Sequence, residues 1–425
     1  MSDDDLLAAI TPIVEAGATD VDAIEILAGA SVRARGLLAA DGARLSTSRV
    51  DEPAWCAVRV WVDGKLGVAG DDVTRLDAAA LAPFIATARA RARTGPASTP
   101  PAALDAPAST TTHAAAPTAD AVEATRTRVR ALGAPVQTFL HTRVDDTLAL
   151  ASSTGRRAAW RRRREDLLVR LEAPLGAVVD GARLADAPDA EAAALGDRLA
   201  LALDALDAPG DAPPAGVPWL LRPAVAGPLA EGLAWLLGGH AALATPGLLR
   251  AVGKQVFPSC LTVVDAPPSG FDDEGAPLVT HDLVRAGKLV AFLADDATAH
   301  ALRAAGVADA RPGRASRGLA LEPQPAPFGL AIAAGTSRPP ERFIELAGRV
   351  EMFATMPRAN LVTVRACGWL VEGGVRVRRV GPIDLDLPLL ATLRRLAGVG
   401  DDLARLPALG PVATPSLILA AERTP

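Results

Sequence analysis

Residues 222–243, RPAVAGPLAEGLAWLLGGHAAL, constrain the fold most. Their apolar side chains recur with a helical period, broken by one carboxylate, Glu231, and one histidine, His240. A helix this apolar belongs in a core, so a substantial layer of other elements must enclose it. The spacing predicts a helix that ends at Gly238-Gly239 as a C-cap, with His240 in the following loop. Glu231 is then expected to make a buried or interfacial hydrogen bond.

The 425-residue chain is long enough to supply that layer from two or three cores. In the first half, residues 4–17 have an amphipathic helical pattern, and residues 22–38 and 43–50 read as short strands. In CAVRVWVDGKLGVAG (56–70), Val58, Val60 and Val62 alternate with Arg59 and Trp61, and Asp63-Gly64 supplies a hairpin turn. Residues 74–94 read as a helix. The Pro/Ala/Thr-rich stretch 95–119, which holds His113, reads as a flexible linker or long exposed loop. Helices follow at 120–133 and 189–208. Residues 137–155 read as two strands about the turn Asp145-Asp146, and 156–174 as a further strand. Beyond a Pro/Gly break the pattern is mostly β. Hairpins are expected about Ala286-Gly287 and Glu372-Gly373-Gly374, with a helix at 388–397 and an end strand at 415–422.

The fold expected is therefore α+β and two-lobed, an α/β N-terminal half and a β-rich C-terminal half with mixed and antiparallel sheets. The boundaries read as 1–94 and 120–212 for two α/β units, 95–119 for the linker, and 213–425 for the C-terminal domain.

Charge and composition exclude several classes. With 44 basic and 49 acidic residues the net charge is −5, which argues against a general nucleic-acid partner. No uninterrupted apolar run of membrane length occurs, and the acidic start MSDDDLLAAI lacks the basic region of a signal peptide. The three distant cysteines, Cys56, Cys260 and Cys367, suggest buried thiols in a reducing cytoplasm. No phosphate-cradling glycine loop is present.

The ordered fragments resemble the TldD/PmbA (modulator of gyrase) family. They are VRVWVDGKLGVAG (58–70), ALASSTGRRAAWRRRREDLLVRL (149–171), the long run from GKQVFPSCLTVVD through SGFDDEG to RAGKLVAFLADD (253–296), and ACGWLVEGGVRV (366–377). TldD-type subunits of that family carry H-E-x-x-x-H after a P-x-x-A turn, with a cysteine near the C-terminus. Zinc needs about three such ligands and a free position for water, and the glutamate takes that water's proton. Anchoring that frame at Pro223 and Ala226 places Glu231 and Gly232 at the first His-Glu pair and Leu236 at the second histidine. Residues 404–419 offer no cysteine.

The resemblance thus implies a PmbA/TldE-like subunit with no catalytic residue, metal or cofactor in this chain. It would pair as a heterodimer with a TldD-like H-E-x-x-x-H subunit that holds zinc, and the pair would act on a peptide or amide. Two alternatives stand beside it. One is a stand-alone hydrolase remodelled around Glu231, His240 or His281. The other is a peptide-binding module in a natural-product pathway. Candidate substrate or partner contacts are Trp160, Arg161 and Arg163 in RRAAWRRRRED (156–166), with Trp235 and His240. The first three also fit an ion-paired strand with cation–π stacking on Trp160. The acids Asp272, Asp273 and Glu274 of SGFDDEG read as a polar turn, or as ligands for a hard cation. His281-Asp282, with Ser259 or Cys260, is a weaker nucleophilic candidate.

Overall fold

Alternation of buried residues along the strands organises the chain around one large sheet. The computed structural model describes residues 3–38, 45–100, 108–111, 119–184, 188–268, 270–317, 322–351, 360–407 and 412–421. The first half carries α1 (Asp3–Gly17), β1 (Ala23–Leu38), β2 (Leu45–Asp51), β3 (Ala54–Val62), β4 (Lys65–Val73), α2 (Ala78–Ala92), β5 (Ala108–Thr111), α3 (Ala119–Ala131), β6 (Val136–Ser152), β7 (Arg157–Ala173), β8 (Gly176–Arg183) and α4 (Pro188–Leu206). The second half carries β9 (Trp219–Leu221), α5 (Pro223–Leu236), α6 (Gly239–Ala244), α7 (Pro246–Leu249), β10 (Val263–Asp265), β11 (His281–Arg285), β12 (Lys288–Leu289) and α8 (Asp296–Ala304). It closes with β13 (Ala315–Ser316), β14 (Gln324–Pro325), β15 (Leu330–Ile332), β16 (Arg342–Val350), β17 (Leu361–Glu372), β18 (Val375–Pro388), α9 (Leu389–Arg394), β19 (Leu396–Val399), β20 (Ala404–Leu406), β21 (Val412–Thr414) and β22 (Leu417–Leu419). The fold is α+β and two-lobed, as the patterning predicts.

The main sheet runs β19-β22-β9-β16-β8-β7-β6-β1-β3-β4, with β17 and β18 extending from β16, β2 from β1 and β5 from β7. It therefore crosses from one half of the chain to the other. The crossing is the antiparallel pairing of Arg349 and Val350 in β16 with Val179 and Val178 in β8. A second sheet, β12-β11-β10-β15-β21-β20, belongs to the C-terminal half.

One face of the N-terminal strands packs on α1 and α2 through Ile24, Ile26, Val58 and Val60. Farther along, Phe139, Leu167 and Val169 meet the core that includes Leu195 and Leu199 of α4. Helix α5 packs between β16, β17 and β21. Eleven of its fourteen residues are buried, so it is enclosed on nearly every side. Pro223 stands in its first turn, where a missing N–H costs nothing.

Several turns match their residues. Asp63 and Gly64 both have positive φ, 51° and 69°, the conformation a two-residue hairpin turn requires. Ala286 and Gly287 repeat it at 45° and 77°. Other readings need correction. Residues 137–152 lie in one long strand, β6, rather than two, because Asp145 and Asp146 are satisfied across the sheet instead of in a turn. Arg143 and Arg163 bind Asp145, and Ser31 Oγ donates to Asp146 at 2.7 Å. Residues 22–38 likewise form one strand, held on both sides by β6 and by β3 and β2. Gly238-Gly239 is not a left-handed C-cap: α5 ends at Leu236, and Gly238 instead precedes α6, placing His240 on a helix. Gly239 is required by close approach, since a Cβ there would lie 2.3 Å from Thr298 Cγ2. Within 95–119, Ala108–Thr111 is a strand parallel to β7, while His113 lies outside the described residues.

Candidate functional site

Glu231, Gly232 and Leu236, the positions that the resemblance sets against a metal motif, lie on α5, and packing defines each of them. Leu236 is 4% exposed, inside the C-terminal core with Leu233, Val362 and Leu389. Gly232 is buried against the same wall. A Cβ on it would sit 3.1 Å from Leu389 Cδ2 and 3.2 Å from Val362 Cγ2. Glu231 is half-buried. Burial pushes its carboxyl above the usual range, and the positive charge of Arg349 offsets this only in part. Trp235, one turn on, is 47% exposed.

The other two candidate groups stand apart. His240 is exposed on α6, and its Nε2 lies 3.0 Å from Thr298 Oγ1 of α8. His281 opens β11, in register with Asp265 of β10. Burial, and then the Arg314 charge, lower its pKa to about 4, so its imidazole is neutral at pH 7. Asp265 is committed to Arg314 and to the backbone N–H of Gly329 at 2.6 Å, so it does not serve His281. Cys260 Sγ lies 3.8 Å from the Leu396 carbonyl. Burial raises the thiol pKa of Cys260, as it does for Cys56 and Cys367. None of these three is an activated nucleophile by that measure. Among the described residues, no group of three or more His, Cys, Asp or Glu could hold a metal ion.

The acidic turn is a polar turn, as expected, and its burial is what the sequence did not show. Asp272, Asp273 and Glu274 are not a solvated turn: they are 0%, 5% and 1% exposed. Asp272 accepts from the backbone N–H groups of Glu274, Ala276 and Ala315, each at 2.9 Å, while Asp273 and Glu274 face arginines carried by the other half of the chain. Arg59 of β3 donates from Nη1 to Glu274 Oε1 at 2.8 Å and from Nε to Glu25 Oε1 at 2.9 Å. Arg317 Nη2 donates to the same Glu25 oxygen at 2.7 Å. Arg162 Nη1 lies 2.7 Å from Asp273 Oδ1, and Arg156 Nη2 lies 2.8 Å from Asp296 Oδ2. Arg156 Nη1 also donates to the Glu274 carbonyl at 2.7 Å. Burial pushes the Glu25 carboxyl up, but the charges of Arg59 and then Arg317 outweigh it and hold the pKa below the usual value. The turn is thus a clamp between halves. Only the acids carried a local signal; Glu25, Arg59 and Arg317 are separated from them by too much sequence for any motif to show.

The arginine strand reads as an ion-paired element. Arg163 binds Asp145, and Arg161 is partly buried. Trp160 is fully buried, its ring centroid 5.9 Å from that of Phe271, which leaves no face for a partner. The cation stacked on it is Arg162, 5.5 Å from the ring centroid.

Residues 214–422 match the family described as the PmbA/TldA metallopeptidase C-terminal domain. The C-terminal domain of the chain belongs to the TldD/PmbA family. Its fold is similar to that of TldE from Thermococcus kodakarensis, with a TM-score of 0.76 at 16% identity, over 97% of this chain and 99% of that one. It is also similar to a protein from Thermotoga maritima proposed to modulate a DNA gyrase, with a TM-score of 0.73 at 17% identity, over 98% and 97% of the two chains. No curated protein matches in sequence. The TldD/PmbA description includes a metallopeptidase, so zinc can be tested against the residues present. They do not fit it. The side chains of Gly232 and Leu236 carry no ligand atom, which leaves the Glu231 carboxylate alone, and the surroundings of Gly232 are Leu389 and Val362 rather than an open, polar cavity.

Proposed function

We propose that this chain is the non-catalytic, TldE/PmbA-like subunit of a heterodimeric peptide or amide hydrolase. Its partner is a TldD-like subunit carrying H-E-x-x-x-H and the zinc. This chain shapes the substrate cavity and supplies no step of the chemistry. The observation that carries the reading is the filled position on α5: Leu236 lies in the apolar core where that motif's second histidine would stand. A buried leucine there stabilises the helix packing and removes any coordination. Three free cysteines, two of them buried, favour a reducing cytoplasm as the compartment. No helix among the described residues is long and apolar enough to cross a membrane.

Native mass and zinc content test this directly, on the chain alone and co-expressed with an H-E-x-x-x-H relative. The expected result is a one-to-one complex with zinc only when the partner is present. Stoichiometric zinc in the lone chain overturns the proposal and returns attention to Glu231, His240 and His281.

A further inference from the structure

Two arginines stand on the strands that flank β8. Register places Val179 of β8 directly opposite Arg170 of β7 on one side and Arg349 of β16 on the other. Residues opposite one another in antiparallel strands share a face, so Arg170 and Arg349 stand in one row, about 10 Å apart at the backbone, or two strand spacings. That face is the one α5 covers. Val178 and Val350, their neighbours along the strands, belong to the core that includes Leu195 and Leu199 of α4, whereas Ile344 and Leu346 of β16 pack in the core of α5. Glu231 of α5 lies near enough to Arg349 for the guanidinium charge to act on its carboxyl. Val179, in the middle of the row, is fully buried, as where long aliphatic stems close over a small side chain.

The Nε atoms of both arginines are buried and unpaired. Other arginines with a buried, unpaired nitrogen, such as Arg89, Arg162, Arg183 and Arg317, each hold a partner through another nitrogen. Among the described residues Arg170 and Arg349 hold none through any nitrogen. Glu172, two residues beyond Arg170 on the same face, is exposed and forms no ion pair with it. A buried donor without an acceptor is unfavourable, and so are two like charges in one row. Packing does not account for them, since a leucine or methionine would cover Val179 with no charge to desolvate. An anion held between the two guanidinium groups relieves both terms. A carboxylate has the two-oxygen edge that an arginine fork matches, and it can turn one oxygen to each fork. Both residues are half-buried, so a single group on a flexible chain can reach the donors, and the flat face of a folded partner cannot.

We infer that Arg170 and Arg349 form a binding site for a carboxylate of a peptide ligand. This deepens the reading above and rests on it for the peptide: it names the feature this subunit recognises while its partner cuts.

Isothermal titration calorimetry on the lone, full-length chain tests it. The probes are N-acetyl-trialanine with a free C-terminus, its C-terminal amide, and the same amide with its middle residue changed to aspartate. At least one carboxylate-bearing peptide is expected to bind with a Kd below about 10 mM. The plain amide is expected to bind about tenfold more weakly or worse. Preference for the free C-terminus assigns the chain end as the ligand, and preference for the aspartate amide assigns an acidic side chain. Arg170→Gln and Arg349→Gln are each expected to weaken that binding about tenfold, with an unchanged urea midpoint. The amide comparison uses the wild type alone, so it holds whether or not the variants fold. Equal binding of the plain amide overturns the inference, as does no binding of either carboxylate peptide. A folded glutamine variant that binds like the wild type also overturns it, and so does inorganic phosphate that displaces the peptide at equal concentration. If no peptide binds but both variants lose the one-to-one complex with the H-E-x-x-x-H partner, the pair serves the subunit contact and the inference fails. A wild type that binds the peptide but forms no such complex counts against the heterodimer reading alone, because peptide binding is read on the lone chain.

Discussion

Asp296 and His281 titrate in opposite senses, and each sets a pH dependence of stability. Burial and then the Glu274 charge push Asp296 up to about 6, so the fold favours its protonated form. The stability it contributes is fully present below the unfolded carboxyl value and is lost as pH rises through about 6. His281 is the reverse case. Its folded pKa of about 4 lies below the ordinary imidazole value, so its contribution is present above about 6.5 and is lost as pH falls through 4. Asp296→Asn is therefore expected to remove a stability loss between pH 4 and 6. His281→Asn is expected to remove an acid-side loss between pH 6.5 and 4. Urea unfolding of each variant at half-unit pH steps checks both, and an unchanged profile in either variant rules out that assignment. Arg59 gives a larger effect at a single position. Arg59→Met removes the guanidinium from Glu274 and leaves Glu25 with Arg317 alone in a dry site, with an expected cost of about 3–5 kcal/mol, read from the same denaturation curves.

At the scale of elements, close approach of backbones decides which residues are permitted. Gly67 of β4 lies under α2, where a Cβ would come within 1.9 Å of the Ala88 carbonyl oxygen. Backbone cannot give way as a side-chain tip can. Gly67→Ala is expected to lift α2 from the sheet and cost about 2–3 kcal/mol, with hydrogen exchange accelerated selectively in α2. On α5, Gly232→Glu would place a charge against Leu389 and Val362. A loss of more than about 3 kcal/mol is expected in thermal or urea unfolding. If that variant is instead as stable as the wild type, the wall is not closed and the metal-motif argument weakens. Much at this scale was legible in the sequence. The Asp63-Gly64 and Ala286-Gly287 hairpins carry their own turn chemistry, and α5 announces its burial by composition. What was not legible depended on distant partners. Asp145-Asp146 looks like a turn until Arg163 and Ser31 are brought across from other strands, and the strand then continues unbroken. The apolar, tightly packed character of Gly232 and Leu236 fits the apolar run that surrounds them along the chain. The Arg349 charge beside Glu231 could not be read there, because it arrives on β16, more than a hundred residues later.

For the whole molecule, the division at residues 212 and 213 that composition suggests does not divide the sheet. β16 pairs with both β8 and β9, so strands of the two halves share one hydrogen-bonded ladder. The clamp of Glu274, Asp273 and Asp296 on Arg59, Arg162 and Arg156 adds a second tie on the opposite face of the N-terminal strands. Charge pairs this deeply buried add little net stability, because desolvation nearly cancels their attraction. They do penalise any state in which the halves separate, since each half would then hold uncompensated charges in an apolar setting. Cooperative unfolding of both halves follows. The six tryptophans allow the test, with Trp55, Trp61 and Trp160 in the first half and Trp219, Trp235 and Trp369 in the second. Two variants, each keeping one of these sets and carrying phenylalanine at the other three positions, should give fluorescence midpoints in urea that coincide with that variant's own far-ultraviolet circular-dichroism midpoint. Adding Glu274→Gln to either variant should lower both midpoints together, by about 3 kcal/mol in unfolding free energy. Midpoints that separate before Glu274 is changed would mean the ladder between β8 and β16 does not couple the halves. Midpoints that separate only in Glu274→Gln would assign the coupling to the buried clamp rather than to the sheet.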